Sequence, residues 1–432
     1  MAVSVEIAFL LLGGLIFIGY FGELLSRKFA IPTALLLLAI GYGLKSSGFV
    51  AVEDFIGLQD LFGSLALVVL LFDGGMSLNV LEVMFKSGRV LLVGLVITIL
   101  SMIGGGLLFA LVGYNPFLGV ILGAIAGGIG SSTTISIAKS ISLPDNIRNF
   151  LTLESSITDV FSIILAIVLT QSLVSGIFDV QILSAGIVGK FSIGLFVGIA
   201  VGITSIALSR IEREYNYMVT LAAVLMTFAV TEFLGGSGAI AVLTFGVLLG
   251  NEALIRKTLK MGEVEAYPMV KQFQTEISFF IRTFFFVFLG IVVTLGNTAN
   301  FLIALMLIIL LYVIRYIVIS LATANTAYSA YKNTLTAINP RGLATAVLAT
   351  YPLIVLQKTI ETSPNSALES LIPSLLALSE IAFYLIILSI VFTTLLVPLT
   401  KNKEAKKAEQ TNPQVQEMRL DEPAIEHASS EE

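Results

Sequence analysis

No cysteine occurs in the 432 residues. That excludes disulfides, thiolate nucleophiles and iron–sulfur clusters. The single histidine, His427, stands in a polar C-terminal stretch, so neither a histidine-based metal site nor Ser–His–Asp hydrolysis is expected. Charge is scarce too: charged residues make up 12% of the chain and hydrophobic residues 56%, with a mean hydropathy of +0.98. A soluble domain carries about 25% charge. The chain lacks the charge to cover a water-facing surface, so the reading is an integral membrane protein. Disorder, a disulfide scaffold and nucleic-acid binding are excluded, and no cofactor is expected. Eleven prolines and 37 glycines suit an all-α bundle with broken helices.

Apolar stretches between charge clusters give thirteen candidate spans, each near the roughly 20 residues a bilayer requires. They are 5–25, 31–47, 59–78, 88–112, 116–139, 147–173, 183–208, 216–234, 236–252, 272–295, 298–323, 333–357 and 372–399. Only Gly235-Gly236 divides the eighth from the ninth. The N-terminus has no positive leader region, so the first stretch reads as a retained span. With the N-terminus outside, eighteen of the 24 Lys and Arg fall inside. Lys45, Lys190 and Lys358 fall outside; Arg282, Arg315 and Arg341 stay at membrane depth. This asymmetry follows the positive-inside rule. The outside loops hold acids instead: Glu53, Asp54, Asp179, Glu361 and Glu369. Residues 1–400 are read as the transmembrane domain and 401–432 as a disordered, hydrophilic cytoplasmic tail. Thirteen spans also divide as six, one and six, which is the parity of inverted six-helix repeats.

Two spans are interrupted. The fifth carries Ala126-Gly127-Gly128-Ile129-Gly130-Ser131-Ser132-Thr133-Thr134. Dense glycine destabilises helix, and Ser and Thr compete for its backbone bonds. The twelfth carries Ala337-Ile338-Asn339-Pro340-Arg341-Gly342, where proline removes a helix donor. The two hold equivalent places in the proposed repeats, and such paired interruptions point to a transporter's binding site. Arg341 could neutralise the partly negative C-terminal ends of the half-helices.

Ionisable groups inside spans are costly, and functional by default. The sixth span contains Glu154-Ser155-Ser156-Ile157-Thr158-Asp159. Ser155 and Asp159 share one helix face, Glu154 and Thr158 another. Arg315 in the eleventh span is the natural bidentate partner of Glu154. Asp159 is then left without a salt-bridge partner, open to either a proton or a cation. Ser155, unwound carbonyls near Ile129 and water could complete the oxygen shell of a monovalent cation. Asp73, in Phe72-Asp73-Gly74-Gly75 of the third span, is either a second ion-binding acid or a solvated end-of-span group. Arg282 reads as a snorkelling side chain.

These residues resemble the monovalent cation/proton antiporter superfamily, closest to NhaP-type sodium/proton exchangers. The resemblance covers about residues 5–400. Its markers are Phe72-Asp73-Gly74-Gly75, the Glu154-Ser155…Asp159 run, Arg315 and Arg341-Gly342. It implies thirteen helices, a six-helix core with two crossed discontinuous helices, and a homodimer. By resemblance Asp159 is the ion- and proton-binding aspartate and Ser155 a ligand. Glu154 and Arg315 form the structural ion pair, Asp73 lies near the cytoplasmic funnel, and Arg341 belongs to the crossed-helix region. Two departures stand out. Thr158 replaces the Asn of electroneutral exchangers or the Asp of electrogenic ones. Ile129-Gly130 replaces a common Thr-Asp pair, which opens the choice among Na⁺, Li⁺ and K⁺.

The function expected is exchange of a monovalent cation for H⁺ by competition at Asp159, electroneutral because one titratable acid occupies that pair. This is transport and pH homeostasis at the plasma membrane, not enzyme catalysis. The alternatives are a sodium-coupled symporter of an organic anion on a related fold, a cation channel and a membrane-embedded enzyme.

Overall fold

A computed structural model describes residues 13–22, 24–25, 33–48, 59–78, 88–141, 143–175, 180–208, 216–260, 267–292, 296–362 and 366–411. Among these residues all regular secondary structure is helical. In chain order the helices are α1 (Gly13–Gly22), α2 (Thr33–Ser46), α3 (Gln59–Ser77), α4 (Gly88–Leu111), α5 (Pro116–Gly127) and α6 (Ser131–Ser140). Next come α7 (Asp145–Ser175), α8 (Val180–Leu208), α9 (Asn216–Phe233), α10 (Gly238–Gly250) and α11 (Glu252–Thr258). The chain ends with α12 (Tyr267–Val292), α13 (Thr298–Thr323), α14 (Lys332–Ala337), α15 (Leu343–Thr362), α16 (Ser366–Glu369) and α17 (Ile372–Thr411).

Each of the thirteen apolar stretches holds helix. Among the described residues seven helices are long and apolar enough to cross a membrane, namely α4, α7, α8, α12, α13, α15 and α17. The pair α10 and α11, bent by 75° at Asn251, adds an eighth if counted as one span. The apolar α1, α2, α3, α5 and α9 are shorter. The division between the eighth and ninth stretches is a turn in which Gly235 takes φ +74°, a conformation a side chain rarely adopts. Asparagines begin two of the core helices. Asn115 Oδ1 accepts from Phe117 N at 2.9 Å, with Pro116 next in the chain, and Asn297 Oδ1 accepts from Ala299 N at 3.0 Å. Both supply an acceptor to amides that have no partner within the helix.

The last helix departs from the sequence reading: α17 runs to Thr411, into the stretch read as disordered tail. Residues 401–411 are rich in Lys, Ala and Glu, which are strong helix formers and can extend a helix beyond its apolar part. Residues 412–432, including Arg419 and His427, lie outside the described residues. So do Arg27, Lys28, Lys86, Arg210 and Arg213 of the sidedness count, and the outside acids Glu53, Asp54 and Asp179.

Close approach in the bundle is made through glycine, as expected where lipid supplies no hydrophobic drive between helices. Gly105 on α4 faces the carbonyl of Gly119 on α5, and Gly119 faces that of Gly105. Gly75, Gly246 and Gly250 join α3 to α10, and Gly41 and Gly290 join α2 to α12. Around α7 the helices α4, α5, α6 and α15 pack closely, and α13 packs on α4, α14 and α17. This second group positions the polar groups described next.

Candidate ion site at the crossing of two broken helices

The first break is narrow. Helix α5 stops at Gly127, and Gly128 is extended (φ −72°, ψ 142°). Ile129 and Gly130 are non-helical, and α6 begins at Ser131. The threonines of the motif, Thr133 and Thr134, are helical. The second break runs from Ile338, also extended (φ −79°, ψ 92°), to Gly342. The two breaks touch. Gly130 N donates to Pro340 O at 2.9 Å. A Cβ placed on Gly130 would lie 2.6 Å from Gly342 Cα, and one on Gly342 would lie 2.7 Å from Gly130 Cα. Gly130→Ala is therefore expected to force the crossing apart, costing about 1–3 kcal/mol as overpacking does. Thermal unfolding in detergent checks this, with Gly14→Ala, which meets nothing within 4 Å, as the neutral control.

Breaking a helix frees backbone amides, and buried amides need acceptors. Here the neighbouring helices supply them. On α7, Thr158 Oγ1 accepts from Ile129 N at 3.3 Å and Asp159 Oδ2 accepts from Ser131 N at 3.2 Å. On α17, Thr393 Oγ1 accepts from Asn339 N at 3.3 Å and Ser389 Oγ from Arg341 N at 2.9 Å. Of these four acceptors only Asp159 is a carboxylate. Ser389 and Thr393 escaped the sequence reading; their spacing of four on one face of an apolar span was the available signal.

The remaining polar groups sort themselves around this crossing. Glu154 takes a bidentate pair of bonds from Arg315, at 2.6 and 3.0 Å, with both side chains fully buried. Arg315 also donates Nε and Nη2 to Leu335 O, at 3.0 and 2.7 Å, so it ties α7 to the last turn of α14. Arg341, also buried, donates Nη1 to Gly128 O at 2.9 Å and to Asn339 Oδ1 at 3.0 Å. It meets the carbonyl end of α5, the partly negative end of that half-helix. Asp159 also approaches Gly128, whose added Cβ would be 3.3 Å from Asp159 Oδ1. Among the described residues Asp159 makes no ion pair within 4.0 Å. Ser155 is buried and donates to Thr152 O at 3.1 Å, so its oxygen lone pairs remain available. Thr158 donates back to Glu154 O at 2.9 Å. For Ser132 only the backbone is described.

Among the described residues no hydrogen bond links Asp73 to this set. Asp73 is exposed on α3 and hydrogen-bonds Ser278, facing the charges of Arg282 and Lys271 on α12. Arg282, read as a snorkelling side chain, thus has a carboxylate opposite it. No group of three His, Cys, Asp or Glu that could hold a metal ion exists among the described residues. One carboxylate with hydroxyl and backbone oxygens suits a monovalent ion better than a divalent one.

The fold and this geometry define a class: a multi-pass helical membrane protein organised around two crossed, interrupted helices. The chain belongs to the sodium/hydrogen exchanger transmembrane family, which it matches over residues 13–402. Among curated relatives it is similar to the K(+)/H(+) antiporter NhaP2 of Shewanella sp. (strain ANA-3), 27% identical over 237 residues, 52% of this chain and 41% of that protein. It is also similar to the Na(+)/H(+) antiporter ApNhaP of Aphanothece halophytica, 26% identical over 300 residues, 66% of this chain and 55% of that protein. The matches thus span about two-fifths to half of the relatives' lengths. Its fold is that of the sodium proton antiporter MjNhaP1 from Methanocaldococcus jannaschii, solved at pH 8. The TM-score is 0.72 at 20% identity, covering 90% of this chain and 99% of that one.

Proposed function

We propose that the protein is a secondary active antiporter that exchanges a monovalent cation for H⁺, with cation and proton competing at Asp159. The observation that carries this is the division of labour between two carboxylates five residues apart. Glu154 is committed to Arg315. Asp159 makes no ion pair among the described residues, takes hydrogen bonds only from the backbone amide and side chain of Ser131, and lies where two broken backbones cross. An ionised Asp159 captures a cation with Ser155, Thr158 and carbonyls near Ile129; a protonated one releases it. Either ligand neutralises the carboxylate for its passage across the membrane, which couples the two fluxes. With one titratable group at this position, one charge exchanges for one proton, and transport is electroneutral.

The family and the two named relatives support the exchange itself, and they divide between K⁺ and Na⁺. Helix pairing supports the inverted repeat. Helix α4 packs on α5 and α7 as α13 packs on α14 and α17, and α7 packs on both halves of one broken helix as α17 does on the other. The thirteen-span count, an outside N-terminus, a cytoplasmic C-terminus, the plasma membrane and a homodimer belong to the same proposal.

The test is dequenching of a pH dye in proteoliposomes bearing an imposed proton gradient, on adding Na⁺, Li⁺, K⁺ or choline. Saturable dequenching by one or more alkali cations, and not by choline, is expected. It should be indifferent to a clamped membrane potential. No response to any cation from folded protein across a broad pH range would sink the proposal and turn attention to Na⁺-driven uptake of organic anions.

A further inference from the structure

Helix α17 carries a further intramembrane carboxylate, one that the exchange site does not use. Glu380 is half-buried and sits nine residues before Ser389, or about 13 Å along the helix from the crossing. Its Oε2 accepts from Asn300 Nδ2 on α13 at 2.7 Å. Among the described residues it makes no ion pair. Asn300 is 1% exposed, yet its Oδ1 has no hydrogen-bond partner. Tyr384, one turn further along α17, accepts from Gly296 N at 3.1 Å and rests edge-on against Phe301. Its hydroxyl oxygen keeps a second lone pair.

These groups share one deficit. A carboxylate within a span is costly without a positive partner, and an orphaned buried acceptor is costly without a donor. Water would satisfy the amide oxygen and leave the carboxylate's charge uncompensated. A cation answers both. One carboxylate is too little charge for a divalent ion, whose protein sites gather several. We propose that Glu380 and Asn300, with Tyr384 beside them, form a second monovalent-cation site beside the start of α13. Binding there stands on this geometry alone; its use as a staging point for the ion that reaches Asp159 rests on the exchange mechanism proposed above.

Thallous ion is a suitable probe. In crystals of the full chain carrying Asp159→Asn, anomalous scattering is expected to place Tl⁺ beside the Glu380 carboxylate, and the peak should vanish when Glu380→Gln is added. No peak beside Glu380 overturns the site, whatever is found at Asp159. In proteoliposomes Glu380→Gln should raise the half-saturating cation concentration about fivefold, the loss expected for one partly exposed charge contact, and keep the maximal rate. Glu380→Asp should stay near wild type. Asn300→Ala, which leaves the carboxylate in place, should also raise half-saturation and guards against a folding defect in Glu380→Gln. Unchanged half-saturation in both Glu380→Gln and Asn300→Ala overturns the staging role. Wild-type protein that exchanges nothing would sink the Asp159 mechanism and leave the thallium peak to decide Glu380.

Discussion

Asp159→Asn is expected to reduce cation/proton exchange to the level of empty liposomes while the protein still folds. The substitution is close to isosteric. The side-chain carbonyl of Asn can accept from Ser131 N as Asp159 Oδ2 does at 3.2 Å, so the first break keeps its cap. What disappears is the negative charge, and with it both the attraction for a cation and the site for a transported proton. Pump-independent dequenching measured side by side with thermal unfolding separates the two effects. Full pH-driven exchange by the variant would refute the role given to Asp159. A collapse of stability would mean that the carboxylate is mainly a structural cap.

Glu154→Gln is expected to show the opposite pattern: a large loss of stability, about 3–5 kcal/mol, from a buried charge deprived of its counter-charge. Arg315 would keep its two bonds to Leu335 O, at 3.0 and 2.7 Å, but would face a neutral amide able to accept only one of the two bonds that Glu154 accepts. Replacing both partners, as Glu154→Gln with Arg315→Gln, should recover part of the loss, because no lone charge remains in the core. An unchanged melting temperature in detergent for the single variant would count against the pairing as a stabilising element. Activity alone does not distinguish this from a transport role, so the unfolding measurement comes first.

Much of the architecture could be read from the chain because its physical causes are local. Scarcity of charge requires a membrane environment whatever the tertiary contacts are. Gly127-Gly128-Ile129-Gly130 and Ile338-Asn339-Pro340-Arg341-Gly342 interrupt helix through their own backbone preferences, and the breaks fall within those residues. Glu154 and Arg315 were legible as partners because two buried opposite charges have few other ways to be satisfied. Ser389 and Thr393 were not. Hydroxyls are common on membrane helices and usually bond their own backbone, as Ser172 does to Val168 O at 2.9 Å. That these two cap amides of the second break depends on how α17 crosses it, which no local pattern encodes. The facing of Asp73 and Arg282 is likewise an electrostatic interaction between separate helices. The continuation of α17 past residue 401 was legible in principle, since Lys, Ala and Glu favour helix, but polarity alone argued for a tail.

The contact between Gly130 and Gly342 also limits how the sequence can change. Each α-carbon occupies the place where the other's side chain would grow, so neither position can enlarge while the other stays. Nor can one shrink to make room, because both are already glycine. A genetic screen for second-site revertants of Gly130→Ala should accordingly find none at codon 342. Relief would have to come from substitutions that shift an entire half-helix.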